Sequence, residues 1–118
     1  MLNEVRGGVV LSAVEAGTFE YLPNKGVFLG GLLDRGHGNP FGLYIGRIEP
    51  GSGIAEEIHP ESSETIYVLS GEAVGVLGDH EIPLGAGQVL HIEKNVSHGI
   101  RNAGQRTLEL LIIASPPY

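Results

Sequence analysis

Val, Ile, Leu, Thr and Tyr gather along this chain in short segments, each closed by glycine, proline or another turn former. That pattern predicts strands at Val9–Val14, Thr18–Leu22, Val27–Leu33, Phe41–Glu49, Ile54–His59, Glu64–Ser70, Glu72–Leu77, Gln88–Ile92, Val96–Asn102 and Thr107–Ala114. The longest stretches free of both Gly and Pro are Gln88–His98 and Gln105–Ser115, 11 residues each, which leaves no room for a layer of helices. About ten short strands at regular spacing predict an all-β sandwich or barrel of Greek-key or jelly-roll type. Two runs, Ile66-Tyr67-Val68-Leu69 and Leu110-Leu111-Ile112-Ile113, are apolar throughout instead of alternating, which predicts strands covered on both faces. In a one-layer barrel the outer cover would come from a partner subunit.

Composition narrows the classes of function. A chain of 118 residues without linkers, repeats or low-complexity tracts predicts one domain over 1–118. Nineteen glycines, more than twice the usual share of roughly 7%, fit a fold built from many turns. The net charge of −7, with the seven Lys and Arg scattered singly, argues against nucleic acid and against anionic lipid surfaces. Cysteine is absent, which removes disulfides, thiolate metal sites and cysteine nucleophiles together. No apolar run approaches the roughly 18 residues of a membrane helix, and the first residues lack a basic stretch leading into an apolar one, so the expected location is cytoplasmic.

Chemistry concentrates in two stretches, Gly51–Gly71 and Gly87–Asn102. In the first, Glu57 and His59 are two apart, so on one strand both point to one face, and Glu64 opens the following strand. The second brings His98, with Ile100 and Asn102 on the same strand face. Two imidazoles and two carboxylates aimed into one barrel would give a divalent ion a nearly complete inner shell.

These stretches resemble the two motifs of the cupins, small jelly-roll barrels also described as double-stranded β-helices. The first motif, Gly-x5-His-x-His-x(3 or 4)-Glu-x6-Gly, is matched by Gly51-x5-Glu57-x-His59-x4-Glu64-x6-Gly71. The second, Gly-x5-Pro-x-Gly-x2-His-x3-Asn, is matched by Gly87-x5-Glu93-x-Asn95-x2-His98-x3-Asn102. Glu57 replaces a histidine, Glu93 the proline and Asn95 the glycine; the last two are turn positions, and Asn tolerates the left-handed conformation glycine would supply. The resemblance implies metal ligation by Glu57, His59, Glu64 and His98. Glu61 is the reserve ligand, from a register starting at Gly53 that leaves too few residues before Glu64.

The N/O donor set favours Mn or Fe(II), with Ni or Zn also compatible. Tyr44 and Arg47 on the preceding strand, and His91 on a short apolar strand, are further candidates for touching substrate, with a packed structural role the competing reading for His91. Asn102 is expected to close its own turn, His80 to sit exposed in a tight turn, and Arg35 and His37 to lie in a surface loop beside the cavity mouth. Together these features imply a metal-dependent enzyme acting on a small oxygenated metabolite by dioxygenase or isomerase chemistry. In it Glu57 is either a ligand or a general base. The alternative is a non-catalytic cupin that binds or senses a sugar or acid. The doubly apolar strands and the family's habit of pairing barrels predict a homodimer.

Overall fold

The structure, a computed structural model, describes residues 2–5, 7–13 and 18–118, at 2–5 and at His37 by the backbone alone. Twelve strands are found among the described residues: β1 Leu2–Val5, β2 Gly8–Leu11, β3 Thr18–Glu20, β4 Val27–Leu33, β5 Gly42–Ile48, β6 Gly53–Glu57, β7 Ser63–Ser70, β8 Glu72–Leu77, β9 His80–Gly85, β10 Val89–Ile92, β11 His98–Asn102 and β12 Leu108–Ser115. One 3-10 turn spans Arg35–His37, and no α-helix is present among the described residues. None of their helices could cross a membrane. β1 and β2 form a separate hairpin, and the remaining strands make an antiparallel six-stranded sheet, β10-β7-β12-β5-β4-β3, and an antiparallel four-stranded sheet, β6-β11-β8-β9. This is the all-β double-stranded β-helix, or jelly roll.

The core lies between the sheets and follows from side chains alternating along each strand. From the six-stranded sheet Val27, Ile48, Ile66, Val68, Leu108 and Leu110 point inward, and Ala73, Leu84 and Ile100 meet them from the other. On β7 this alternation holds even though the run is apolar throughout. Ile66 and Val68 are 2% and 0% exposed, whereas Tyr67 and Leu69, on the outer face, are 40% and 47% exposed. A single chain therefore covers one face of that strand.

Ten strands are predicted and twelve are found among the described residues; β1 and β9 are the two outside the predicted set. Val14, at the end of the predicted Val9–Val14 strand, lies outside the described residues. Gly and Pro masked a strand at 80–85, so His80 opens β9 instead of sitting within a turn. Pro83 is tolerated there because β9 is the edge of its sheet, where a missing N–H breaks no inner ladder. The strand predicted to reach His59 ends at Glu57, because the chain leaves the four-stranded sheet there and crosses to β7 in the other.

Candidate metal centre

Four polar side chains converge where that crossing occurs. Glu57 ends β6, His59 stands in the corner segment, Glu64 is the second residue of β7, and His98 opens β11. Glu64 shares its strand face with Ile66 and Val68, and His98 shares one with Ile100 and Asn102, so strand period alone aims both into the barrel. Gly99 makes the placement of His98 feasible. A Cβ there would stand 2.7 Å from the Ile54 carbonyl, and this close approach of β11 to β6 coincides with the shift of their register between His98 and Ile100. Asn95 has φ 65°, the left-handed conformation its place in the motif requires, and its N–H donates to the His59 carbonyl at 2.8 Å. The turn of one motif thus ties down the histidine of the other.

His59 Nε2 lies 3.6 Å from Glu57 Oε1 and 3.7 Å from Glu64 Oε2, His98 Nε2 lies 3.1 Å from Glu64 Oε1, and the two imidazole centroids are 5.2 Å apart. One ligand atom each from Glu57, His59 and His98 falls within 4.8 Å of the others. His98 Nδ1 lies 2.9 Å from the Val96 carbonyl; a carbonyl only accepts, so this nitrogen carries the hydrogen and the neutral ring presents a bare lone pair at Nε2. A lone pair facing a carboxylate oxygen at 3.1 Å repels it unless a proton or a cation stands between them. The two Nε2 atoms are buried and make no well-aligned hydrogen bond, an arrangement that suits an ion between them and the carboxylates or, in the metal-free chain, a proton between His98 and Glu64. In the metal-free chain burial lowers the His98 pKa, but the Glu64 carboxylate, the Val96 carbonyl and the Glu57 charge outweigh it, and the net shift is upward.

The cluster forms the floor of a cavity of about 420 Å³ between the sheets. Its walls include Leu29, Ile54, Ile66, Ile100 and Ile112, and its rings are Phe19, Tyr21, Tyr44 and Tyr118. The Tyr21 hydroxyl donates to Glu57 Oε2 at 2.7 Å; burial first, then this bond and the Glu57 and Glu64 charges, push its pKa up to about 12. The Tyr118 ring packs on His59 at 4.5 Å and on Tyr44 at 5.4 Å. Its backbone is held by Arg35, which donates to the carbonyls of Pro117 and Tyr118 at 2.9 and 3.2 Å.

Glu57, His59, Glu64 and His98 are therefore together, and Tyr44 lines the same cavity. Arg47 and His91 do not join them. Arg47 is three residues from Tyr44, an odd number that puts it on the opposite face of β5, where it pairs with Glu109 at 3.3 Å. His91 is on the outer face of β10 and neither packs in the core nor lines the cavity; its Nδ1 lies 2.8 Å from Thr65 Oγ1. Glu61 is exposed and lines a separate recess beside the C-terminal segment. Asn102 closes its turn, donating to the carbonyls of Ile48 and Arg106 and accepting from Gly104 N–H. Tyr21, Asp34 and Tyr118 line the cavity without having been singled out from sequence. Nothing local marks them: the Tyr21–Glu57 bond joins positions 36 residues apart.

The model of the cupin domain matches residues 44–114, more than half of the sequence. The chain is a cupin. A Streptomyces halstedii protein named SchB is 39% identical to this cupin over 69 residues, which is 58% of the cupin and 50% of SchB. An oxalate-binding protein of Thermotoga maritima is 33% identical over 67 residues, 57% of the cupin and 55% of that protein. The cupin thus spans about half the length of these curated relatives. The crystal structure of a predicted oxalate decarboxylase from Thermotoga maritima superposes with TM-score 0.82 at 26% identity, covering 91% of the cupin and 98% of the other chain.

Proposed function

We propose that residues 1–118 form one cupin domain and that it acts as a divalent-metal-dependent enzyme on a small oxygenated metabolite, with Glu57, His59, Glu64 and His98 as donors. The observation that carries the reading is the pair of buried imidazole Nε2 atoms that make no well-aligned hydrogen bond and face two carboxylates at the floor of a cavity. Two neutral imidazoles and two carboxylates cancel a 2+ charge and suit Mn or Fe(II), with Ni or Zn compatible. A metal bound there supplies a Lewis acid that polarises a substrate oxygen.

The chain's own residues supply the rest. Val96 fixes the His98 ring and its tautomer, and the corner at 58–62 brings His59 over Glu64. Glu57 and Tyr21 form a carboxylate–phenol pair at 2.7 Å inside the cavity; where Glu57 is left out of the donor set, it can take a proton from substrate while the Tyr21 hydroxyl returns its own, and the proton on Glu57 then passes to the Tyr21 oxygen, which restores both groups. This pair favours isomerase-type proton transfer over oxygenase chemistry. Apolar walls limit the water that reaches it.

The second reading is a non-catalytic binding cupin. It draws on the name of the oxalate-binding relative and on Glu57, a carboxylate where the family motif has histidine. Metal analysis of protein purified without added metal tests the proposal. Near-stoichiometric Mn, Fe, Ni or Zn supports it, and an empty site after metal-replete growth overturns it. Oxygen uptake on adding substrate would point to the oxygenase, and solvent-hydrogen exchange into substrate without oxygen uptake to the isomerase.

A further inference from the structure

The segment after β12 is held to the barrel by side chains. Ala114 and Ser115 still pair with Glu64 and Ser63 of β7, but Pro116 and Pro117 have no N–H with which to continue the ladder. The Ser62 hydroxyl donates to the Pro116 carbonyl at 2.8 Å, and the Arg35 guanidinium donates to the carbonyls of Pro117 and Tyr118 at 2.9 and 3.2 Å. These anchors grade outward: Ser62 and Pro117 are buried, whereas Arg35 is exposed and Tyr118 is 44% exposed. Hydrogen bonds at the surface open more readily than buried ones, so the segment has a fixed root at Pro117 and a movable end at Tyr118.

Tyr118 is also a wall. Its ring packs on His59 at 4.5 Å. The cavity over the metal centre, about 420 Å³, adjoins a second recess of about 390 Å³ to which Arg35, Ser62, Pro116 and Pro117 contribute. Tyr118 and His59 are the two residues common to both linings, so their rings are the partition between them. One half of that partition is tied into the barrel, since the His59 carbonyl accepts from the Asn95 N–H at 2.8 Å. The other half hangs from Arg35.

We propose that residues 116–118 are a gate to the metal centre and that Arg35 is its latch. With the Arg35 bonds broken, Tyr118 turns off His59, the cavity and the recess join, and the His59 ring is open to an ion arriving through the recess. Arg35 acts through Tyr118, so it is a positioning residue and not a ligand. That an ion uses the opening rests on the metal reading above; the opening itself does not.

Reaction of the metal-free chain with diethyl pyrocarbonate, followed at each histidine by peptide mass spectrometry, tests the gate. Arg35→Ala should speed modification of His59 by about tenfold, the effect of losing hydrogen bonds from a charged donor at the surface. Tyr118→Ala should speed it at least as much. Arg35→Lys, which keeps a charged donor, and Tyr118→Phe, which keeps the ring, should stay near wild type. The exposed His80 and His91 should react at wild-type rates in every variant, and Arg47→Ala, which removes an equal charge on the outer face of β5, should leave His59 unchanged. A wild-type rate at His59 in both Arg35→Ala and Tyr118→Ala overturns the gate, and so does a rise fully accounted for by lost stability in urea, which is general loosening. Stopped-flow mixing with Co(II), read by its visible absorbance, tests the route. Uptake should be about tenfold faster in Arg35→Ala at unchanged final metal per chain; unchanged uptake beside a reactive His59 overturns the gate as the ion's way in. If no Co(II) is taken up, the metal reading fails and the reactivity of His59 alone decides the gate.

Discussion

His98→Ala is the sharpest perturbation of the proposed centre, because His98 is the one donor that β11 contributes and its ring is only 4% exposed. Zinc-finger peptides hold structural zinc by roughly 10–16 kcal/mol at neutral pH, an upper bound for an N/O site that favours Mn or Fe(II), so loss of one donor in four removes at most about 2.5–4 kcal/mol, a weakening at most on the order of 10²- to 10³-fold. The fold should survive. The substitution removes the bond to the Val96 carbonyl, about 1 kcal/mol, and a modest amount of packing, against a domain stability of roughly 5–15 kcal/mol. Metal per chain after dialysis against a weak chelator measures the first effect, and urea unfolding of the metal-free proteins measures the second.

The pH dependence carries its own sign. In the metal-free chain the folded pKa of His98 is raised, so its contribution to stability is fully present below the ordinary value of 6.5 and is lost as pH rises through the raised value. The stability gap between wild type and His98→Ala should therefore be wider at pH 5.5 than at pH 8.5. A folded His98→Ala protein with wild-type metal content would refute the assignment.

If Glu57 is a ligand, Glu57→Gln should lose metal and Glu57→His should keep it; if it is a base, both should keep metal and lose turnover. Metal analysis beside an activity assay distinguishes the roles, and full metal with full activity in Glu57→Gln removes both. Asn102→Ala breaks three hydrogen bonds at the far end of β11, two of them to backbone carbonyls, and should cost about 2–4 kcal/mol in urea unfolding without changing metal content. Tyr21 has its pKa raised from 10.0 to about 12, so the stability it contributes is complete below about pH 10 and is lost as pH climbs through 12. Tyr21→Phe should remove that alkaline step from the unfolding free energy and the matching phenolate absorbance. The apolar outer face around Tyr67, Leu69 and Val89 is expected to be covered by a second copy, giving about twice 12.5 kDa in light scattering, and a monomer at micromolar concentration contradicts this.

Strand positions were legible wherever apolar β-formers stood between turn residues, as at Val27–Leu33 and Glu72–Leu77, whose bounds are those of β4 and β8. β9 was hidden because Gly, Pro and charged residues dilute a strand at a sheet edge, where less of the side-chain surface is buried. The four clustered donors were legible through their match to the cupin motifs; period 2 accounts for Glu64 beside Ile66 and His98 beside Ile100, but not for His59, which stands beyond the end of β6. Arg47 shows the same rule misapplied, because an odd separation from Tyr44 could have excluded it from that face. Tyr118 and Tyr21 were illegible for a different reason. Their meaning lies in contacts with His59 and Glu57 across the sheets, which no local pattern encodes.

The corner between β6 and β7 splits the donors between two sheets: Glu64 belongs to the six-stranded one, Glu57 and His98 to the four-stranded one. Before the barrel closes, an arriving ion meets only the local pair Glu57 and His59, a weak chelate. After closure Glu64 joins them from one sheet and His98 from the other, so the full donor set exists only in the folded barrel. An ion that binds there stabilises the closed barrel by mass action, and the metal-loaded protein should unfold at a higher temperature than the metal-free one, by an amount that grows with the concentration of free ion.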